Sequence, residues 1–254
     1  MGALLEQVLL RNGLLTAFAV IGLTLLLSYR LSARLCAGRI HGSAIAILLG
    51  LVLAYVCGSW TGGDKGAADV PVLAGIGLFG GAMLRDFAIT ATAFGVDVRV
   101  LRQAGASGGA ALLLGVLVSF AAGAAVALAF GYDDPVSVTT IAAGAVTYIV
   151  GPVTGAAIGA SSDAMALSIA AGLVKSMLVM VATPFAAPFI GLDNPRTAMI
   201  FGGLMGTTSG VCGGLAATDP KLVPYGAMTA TFYTGLGCLL GPSLLYLAVR
   251  GLMA

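Results

Sequence analysis

Long apolar runs follow one another through almost the whole chain, and they constrain the fold more than any other feature. Hydrophobic residues make up 59% of the 254 residues and charged residues only 9%, whereas soluble domains carry about a quarter charged residues. Runs of about 18 or more apolar residues span the hydrocarbon core of a bilayer. Because backbone groups in lipid need partners within the protein, and these runs lack the alternation of barrel strands, the sequence predicts an all-α polytopic helix bundle.

Composition and motifs disfavour several functional classes. The net charge is only +2 and no run of Lys and Arg is present, so nucleic acid is not expected as a partner. The single histidine, His41, precedes Ser107 of "GASG", whereas in rhomboid intramembrane proteases the serine precedes its histidine, so Ser107 lacks a correctly placed base. The sequence also contains no GxxxxGK loop and no HExxH motif. We therefore expect neither an enzyme nor an organic cofactor.

The first half of the chain, residues 1–135, is predicted to be a scaffold of about four transmembrane helices. Its apolar segments cover approximately residues 14–29, 43–60, 70–94 and 106–130. Arg85 and Asp86 are adjacent in the third segment, and because neighbouring helical residues point about 100° apart, they cannot simply pair with each other. Two interpretations stay open, a helix end at the membrane surface or an anion or ion-pair position inside the bundle.

The second half, residues 136–254, contains an internal repeat and is predicted to be the transport part. "TGAAIGASSD" (154–163) and "SGVCGGLAATD" (209–219) both place a hydroxyl residue before a glycine, a second glycine four positions later, and an Asp eight or nine positions after the first glycine. Each copy continues into a long apolar helix. The duplicated units are therefore residues 136–190 and 197–250.

Glycine, proline and hydroxyl residues within apolar segments are typical of broken or re-entrant helices that line a cavity. Gly151 and Pro152 are expected to separate two half-helices, because proline fits the first turn of a helix. If each glycine-rich element turns back and one spanning helix follows, the two copies are inverted. If each element spans fully, the copies are parallel, and in either case the glycines could serve close helix packing alone. We favour the inverted repeat.

The broken elements suggest binding sites for both an anion and a cation. Half-helix ends at membrane depth offer N–H groups to an anion and carbonyl oxygens to a cation. Carboxylates and hydroxyls are oxygen ligands for alkali cations, so we predict a sodium site from Ser162, Asp163, Thr218 and Asp219. The predicted contacts of an anionic substrate are Thr154, Ser161, Lys175, Thr207, Thr208 and Ser209. The alternative is that both acids lie in loops in water.

Lys175 lies 12 residues beyond Asp163, which corresponds to about 18 Å along a continuous helix. At least one of these charges is therefore deep in the membrane unless the helix is strongly tilted or broken. A buried lysine suits an anionic substrate, and the alternative is that its ammonium group snorkels to an interface.

Four stretches, spread over essentially the whole chain, resemble one family. They are "GRIHGSAIAILLGLVLAY", "GGAMLRDFAITATAFGVDV", "GAVTYIVGPVTGAAIGASSD" and "FGGLMGTTSGVCGGLAATDPKLVPYGAMTATFYTGLGCLLGP". They resemble the MadM subunit of the bacterial two-subunit malonate:sodium symporter. The resemblance implies sodium-coupled uptake of malonate across the bacterial cytoplasmic (inner) membrane, together with a smaller membrane subunit, MadL.

An alternating-access cycle is the mechanism that we expect from this combination, because duplicated broken helices are typical of such carriers. Sodium would bind first near Asp163 or Asp219, and a malonate carboxylate would then bind the N–H groups of a half-helix. The alternative function is a channel-like or passive structural subunit of a transport complex.

Overall fold

The computed structural model describes residues 2–35, 42–63, 66–78 and 98–253, without the side chains of residues 2–5 and 98–104. The described part is helical, and strands do not occur in it. The α-helices are α1 (Gly2–Arg11), α2 (Gly13–Leu35), α3 (Gly42–Thr61), α4 (Gly75–Leu78), α5 (Val98–Ala129), α6 (Pro135–Val146), α7 (Val150–Ile158), α8 (Ser162–Ile190), α9 (Pro195–Met205), α10 (Thr208–Ala216), α11 (Val223–Leu240) and α12 (Tyr246–Leu252). Three short 3-10 helices and a π-helical stretch complete them: Gly66–Asp69, Pro71–Leu73, Pro220–Leu222 and Gly241–Leu245.

Five helical segments within the described residues are long and apolar enough to cross a membrane. They are Gly13–Leu35, Gly42–Thr61, Gly105–Ala129, Ser162–Ile190 and Pro220–Leu252. Helices of this length carry all their backbone hydrogen bonds internally, which is what a hydrocarbon environment requires. The prediction of an all-α, multi-pass membrane protein is confirmed.

The chain divides into two compact units, Met1–Ala88 and Ile89–Ala254. In the first unit α2 and α3 are the long apolar helices, and the Thr16 hydroxyl is satisfied by the carbonyl oxygens of Leu9 and Asn12 at 2.9 and 3.1 Å. Most of the predicted third segment, residues 70–94, lies outside the described residues. The functional division at residue 135 stays a prediction, and α5 belongs to the second unit.

A repeated pentapeptide marks the two halves of the second unit. "GYDDP" (131–135) precedes α6 and "GLDNP" (191–195) precedes α9. In each copy proline is the first helical residue, and the preceding Asp134 or Asn194 caps the helix by accepting a hydrogen bond from the backbone N–H three residues later, at 2.8 and 3.1 Å. The two copies therefore start their short helices in the same way.

The cap of α6 is ionisable, unlike that of α9. Burial by itself would raise the pKa of the Asp134 carboxyl, but hydrogen bonds from Ser137 and Val136 outweigh this effect and hold the pKa below its usual value. The carboxylate is thus charged at the N-terminus of a helix, where the helix dipole favours negative charge.

The helices α6 and α7 form a re-entrant hairpin, hairpin A, with its tip at residues 147–149. A Cβ atom on Gly151 would lie 2.9 Å from Cα of Gly144, and one on Gly155 would lie 2.8 Å from Cγ2 of Thr140. The partner position moves four residues back as the glycine moves four residues forward, so the two arms are antiparallel. Glycine at these positions allows the close approach of the arms.

The helices α9 and α10 form the second hairpin, hairpin B, with its tip at Gly206 and Thr207. A Cβ atom on Gly226 of α11 would lie 2.9 Å from Cγ1 of Val211 near the middle of α10 and 3.4 Å from the carbonyl oxygen of Ala198 near the start of α9. Both arms therefore flank the same turn of α11. The chain returns towards the side from which it entered.

The long helix α8 separates the hairpins and shows that they are inverted. Glycines of hairpin A pack beside its N-terminal half, at Met165 and Ser168, whereas glycines of hairpin B pack beside its C-terminal half, at Met180 and Thr183. Each hairpin also has its own cluster of buried apolar side chains. The hairpins thus enter from opposite ends of a spanning helix, and the predicted inverted repeat is confirmed.

The break in hairpin A lies at a different residue from the predicted one. The structure ends α6 at Val146 and begins α7 at Val150, so Gly151 and Pro152 lie inside the first turn of α7. Proline is tolerated there because first-turn N–H groups have no partner within the helix. The prediction that these two residues separate the half-helices is therefore wrong by three to four positions.

Candidate functional site

The tips of both hairpins lie beside the middle of α8, where Lys175 and Ser176 are found. The Lys175 ammonium group donates to Ser119 Oγ at 2.9 Å, to the Val146 carbonyl oxygen at 2.9 Å and to the Tyr233 hydroxyl at 3.1 Å. An ammonium group has three N–H donors, so each of them has an acceptor. Lys175 is half-buried near the centre of a 29-residue helix, whereas Asp163 is exposed in its first turn.

The acceptor on hairpin A is a consequence of the helix break. Val146 is the last residue of α6, and the final carbonyl groups of a helix lack an N–H partner within it. These carbonyls carry the negative end of the helix dipole, which favours a nearby cation. The Lys175 ammonium group occupies this position.

Tyr233 joins Lys175 to hairpin B. Its ring is 0% exposed, contacts the position where Gly206 would carry a Cβ, and lies 5.0 Å from the Lys175 Nζ atom. Its hydroxyl is 2.8 Å from Ser119 Oγ and 3.0 Å from the Gly115 carbonyl oxygen, so its single proton has an acceptor on α5. One side chain thus contacts hairpin B, α5 and the ammonium group.

The backbone of tip A is satisfied by the protein itself. The Thr147 hydroxyl accepts hydrogen bonds from the N–H groups of Ile149 and Val150, at 3.3 and 3.2 Å. The Val150 and Gly151 N–H groups also donate to the Thr147 carbonyl oxygen, at 3.0 and 3.3 Å, so the first amides after the break have acceptors within the protein. Tip A therefore offers no free helix N-terminus.

Tip B differs, because its helix begins without a side-chain cap. Thr207 precedes α10 with extended backbone angles, and it makes no capping hydrogen bond. Its hydroxyl oxygen is buried and has no partner among the described residues, although the residue is only 1% exposed. The first N–H groups of α10, on Thr208, Ser209 and Gly210, have no acceptor within the helix because of their position. A bare helix N-terminus of this kind suits an anion.

Ser209 connects tip B to α8. Its hydroxyl lies 2.7 Å from that of Ser176, the residue directly after Lys175. A Cβ atom on Gly210 would also lie 2.6 Å from the Ser176 carbonyl oxygen, so the first turn of α10 packs closely on α8. The free amides of tip B are therefore held next to the helix turn that carries the ammonium group.

The structure brings together four of the six residues predicted to contact the substrate: Lys175, Thr207, Thr208 and Ser209. The other two, Thr154 and Ser161, lie elsewhere. Thr154 is buried in α7 against Gly241, and its hydroxyl has no partner among the described residues. Ser161 is exposed and caps α8 by accepting from the Ala164 N–H at 3.2 Å.

The residues predicted to bind sodium lie at opposite ends of α8. Ser162 and Asp163 are exposed in its first turn, near the base of hairpin A. Asp219 follows hairpin B and accepts a hydrogen bond from the Lys221 N–H at 2.9 Å. Its neighbours Leu215 and Leu222 pack in one cluster with Ala187, which is 24 residues from Asp163, or about 36 Å along the helix.

Two acids so far apart cannot belong to a single sodium site. Thr218 also makes a local bond, to the Gly214 carbonyl oxygen at 2.8 Å. That sodium binds at Ser162 and Asp163, or at Thr218 and Asp219, stays a prediction. Arg85 and Asp86 lie outside the described residues, and the remainder of the described chain shows no cluster of three or more His, Cys, Asp or Glu side chains.

Sequence reasoning did not find Ser119, Thr147, Ser176 and Tyr233. Ser119 and Tyr233 lie 56 and 58 residues from Lys175, and nothing local indicates that they share its surroundings. One signal was present, because "GYDDP" and "GLDNP" repeat more clearly than the glycine-rich stretches. Aligning the two copies at this proline places Thr147 and Thr207 at the same position, 12 residues further on, and would have paired Thr147 with the predicted site residue Thr207.

A comparison with known families decides what kind of protein this is. The family model described as the malonate/sodium symporter MadM subunit matches residues 5–253. The chain belongs to the MadM family. No curated protein and no solved structure was found to match it. MadM proteins are subunits of a transporter rather than members of an enzyme family, and the polar cluster around Lys175 is the candidate transport site of this MadM chain.

Proposed function

We propose that this chain carries malonate together with sodium across the bacterial cytoplasmic membrane by alternating access, in a complex with the smaller subunit MadL. The observation that carries the proposal is that two inverted hairpins meet at Lys175 in the middle of a spanning helix. A binding site at this depth can be opened to either side by moving one hairpin or the other.

Malonate is a small dianion, and the site offers it two kinds of positive partner. One carboxylate binds the first N–H groups of α10, on Thr208, Ser209 and Gly210, together with the Thr207 hydroxyl, since this helix has no side-chain cap and the hydroxyl has no partner among the described residues. The other carboxylate binds the ammonium group of Lys175. All three N–H donors of Lys175 already have acceptors within the protein. To bind malonate, the ammonium group must therefore exchange one of these acceptors for a carboxylate oxygen of the substrate.

The exchange links substrate binding to movement. The hydrogen bond from Lys175 to the Val146 carbonyl oxygen attaches tip A to α8. When the ammonium group turns towards malonate, this is the bond that it gives up. Loss of this bond would free hairpin A to move relative to α8. Sodium supplies the further positive charge that a dianion requires in a low-dielectric site, and Asp163 or Asp219 is its proposed ligand.

The proposal is tested by transport measurements on the two-subunit complex in proteoliposomes. An inward sodium gradient should drive uptake of labelled malonate, and Lys175→Gln should reduce that uptake about 100-fold or more, because a buried charge partner of the substrate is lost. The control is Arg196→Gln, which removes one positive charge from an exposed position in the first turn of α9. Uptake should be unchanged in the control.

Two results would contradict the proposal. Uptake by Lys175→Gln at the level of the parent complex would remove Lys175 from the site. A sodium current that needs no malonate and does not saturate would instead support a channel-like subunit.

A further inference from the structure

We propose that Tyr233, together with Ser119, positions the Lys175 ammonium group for malonate and thereby sets the affinity of the carrier. This inference rests on the proposed role of Lys175 in substrate binding. Neither residue contacts the substrate in this scheme. Both are positioning residues, and they act through the hydrogen bonds that they accept from the lysine.

A lysine in a spanning helix needs such restraint. Its side chain is long and flexible, and in a membrane it normally extends towards an interface where the ammonium group is hydrated. Two of its three acceptors here are the side-chain oxygens of Ser119 and Tyr233, which lie on two different helices, α5 and α11. Without them the ammonium group would keep only the carbonyl oxygen of Val146.

Tyr233 is held more firmly than a surface tyrosine would be. It is the largest fully buried side chain described, and its ring fills the space beside Gly206 at tip B. Gly206 has φ of +70°, and any side chain there would meet the ring. The ring also faces the ammonium group at 5.0 Å, which adds a cation–π attraction. The hydroxyl is therefore fixed relative to the free amides of tip B.

This geometry explains how the two groups that bind the carboxylates of malonate keep a constant distance from each other. The amides of tip B and the ammonium group belong to different elements, α10 and α8. Tyr233 contacts both regions, through its ring at tip B and through its hydroxyl at Lys175. The Ser176–Ser209 contact holds the start of α10 against α8, and Tyr233 and Ser119 hold the ammonium group within that frame. The spacing between the two positive partners, and with it the preference for a short dicarboxylate, therefore depends in part on Tyr233 and Ser119.

The test is the kinetics of malonate uptake by the two-subunit complex at saturating sodium. Tyr233→Phe retains the ring but removes the hydroxyl, so the KM for malonate should rise about tenfold while the maximal rate per assembled complex changes little. Ser119→Ala should raise the KM in the same direction. The matched control is Tyr225→Phe, which removes a hydroxyl from the same helix eight residues earlier, away from Lys175, and should leave the KM unchanged.

Competition by acetate, a monocarboxylate, provides a second measurement. Loss of the fixed spacing should reduce the preference for malonate over acetate in Tyr233→Phe and in Ser119→Ala. If Tyr233→Phe does not assemble, Ser119→Ala alone carries the test. An unchanged KM and an unchanged preference in these variants, while Lys175→Gln still abolishes uptake, would overturn this inference and leave the proposed function standing. If Lys175→Gln transports normally, the proposed function itself fails.

Discussion

At tip A of the repeat the freed backbone groups have partners within the protein, whereas at tip B the following helix begins without a side-chain cap among the described residues. In hairpin A the last carbonyl of α6 accepts from Lys175 and the first amides of α7 donate to Thr147. In hairpin B the break is made by Gly206, and Thr207 leaves both its own hydroxyl and the start of α10 without a cap. The same helical plan thus produces one closed tip and one open tip.

The difference between the tips assigns them different tasks. An uncapped helix start in a membrane costs free energy unless an anion or water satisfies it, so tip B is suited to the substrate. The backbone groups of tip A already have partners, so tip A does not need an anion. Its hydrogen bond with Lys175 can instead break when malonate binds, so that hairpin A responds to the substrate.

The largest effect is expected at the bases of the hairpins, where each copy carries an acid. Asp163 and Asp219 lie at opposite ends of α8, so they cannot bind the same sodium ion. We expect sodium-dependent uptake to collapse in only one of the variants Asp163→Asn and Asp219→Asn, because loss of the carboxylate charge removes the preferred oxygen ligand of the cation. Uptake in proteoliposomes at a series of sodium concentrations measures this.

The amount of assembled complex in the membrane is the control for both acid variants. Normal sodium dependence in both would exclude both carboxylates from the sodium site. A collapse in both, with normal assembly, would show that each carboxylate serves transport and would contradict the prediction of a single acid ligand.

The next effect concerns the open tip. Thr207→Val has nearly the same shape but no hydroxyl, and we expect the KM for malonate to rise about tenfold, since one buried hydrogen bond to a charged carboxylate is lost. The stability of the substrate-free complex should stay the same or increase, because the variant removes a buried hydroxyl that has no partner among the described residues. Uptake kinetics in proteoliposomes measure the KM, and thermal unfolding without malonate measures the stability.

The smallest effect on transport is expected at the closed tip. There the variant should lower stability and leave the KM nearly unchanged, the opposite of Thr207→Val. Thr147→Val removes the side-chain acceptor of the Ile149 and Val150 amides, of which only Val150 keeps the Thr147 carbonyl oxygen as an acceptor, so the free energy of unfolding should decrease by about 1 kcal/mol. The KM for malonate should change much less than in Thr207→Val. If instead Thr147→Val impairs affinity as strongly as Thr207→Val and leaves stability intact, the division between an open and a closed tip is wrong.

Sequence reasoning succeeded where the signal is local or periodic. Apolar runs of spanning length predicted the helical membrane fold, and the repeated glycine-rich stretches predicted inverted hairpins. The 12-residue spacing between Asp163 and Lys175 predicted that at least one of the two charges is deep, and the structure places Lys175 half-buried at mid-helix and Asp163 exposed at the helix start. Reasoning failed for the acids, because matching places in an inverted repeat lie at opposite ends of the molecule rather than together.

The sequence by itself determined the class of structure, the repeat and the family, since all three depend on composition, spacing and order along the chain. Only the tertiary structure decided which residues meet. Ser119, Lys175 and Tyr233 come together because three helices pack around two hairpin tips, and packing of this kind leaves no mark at a fixed spacing in the sequence. The tertiary structure likewise decided which tip is capped. Both tips carry a threonine, and residue type does not specify that the hydroxyl of Thr147 reaches the freed amides whereas that of Thr207 does not.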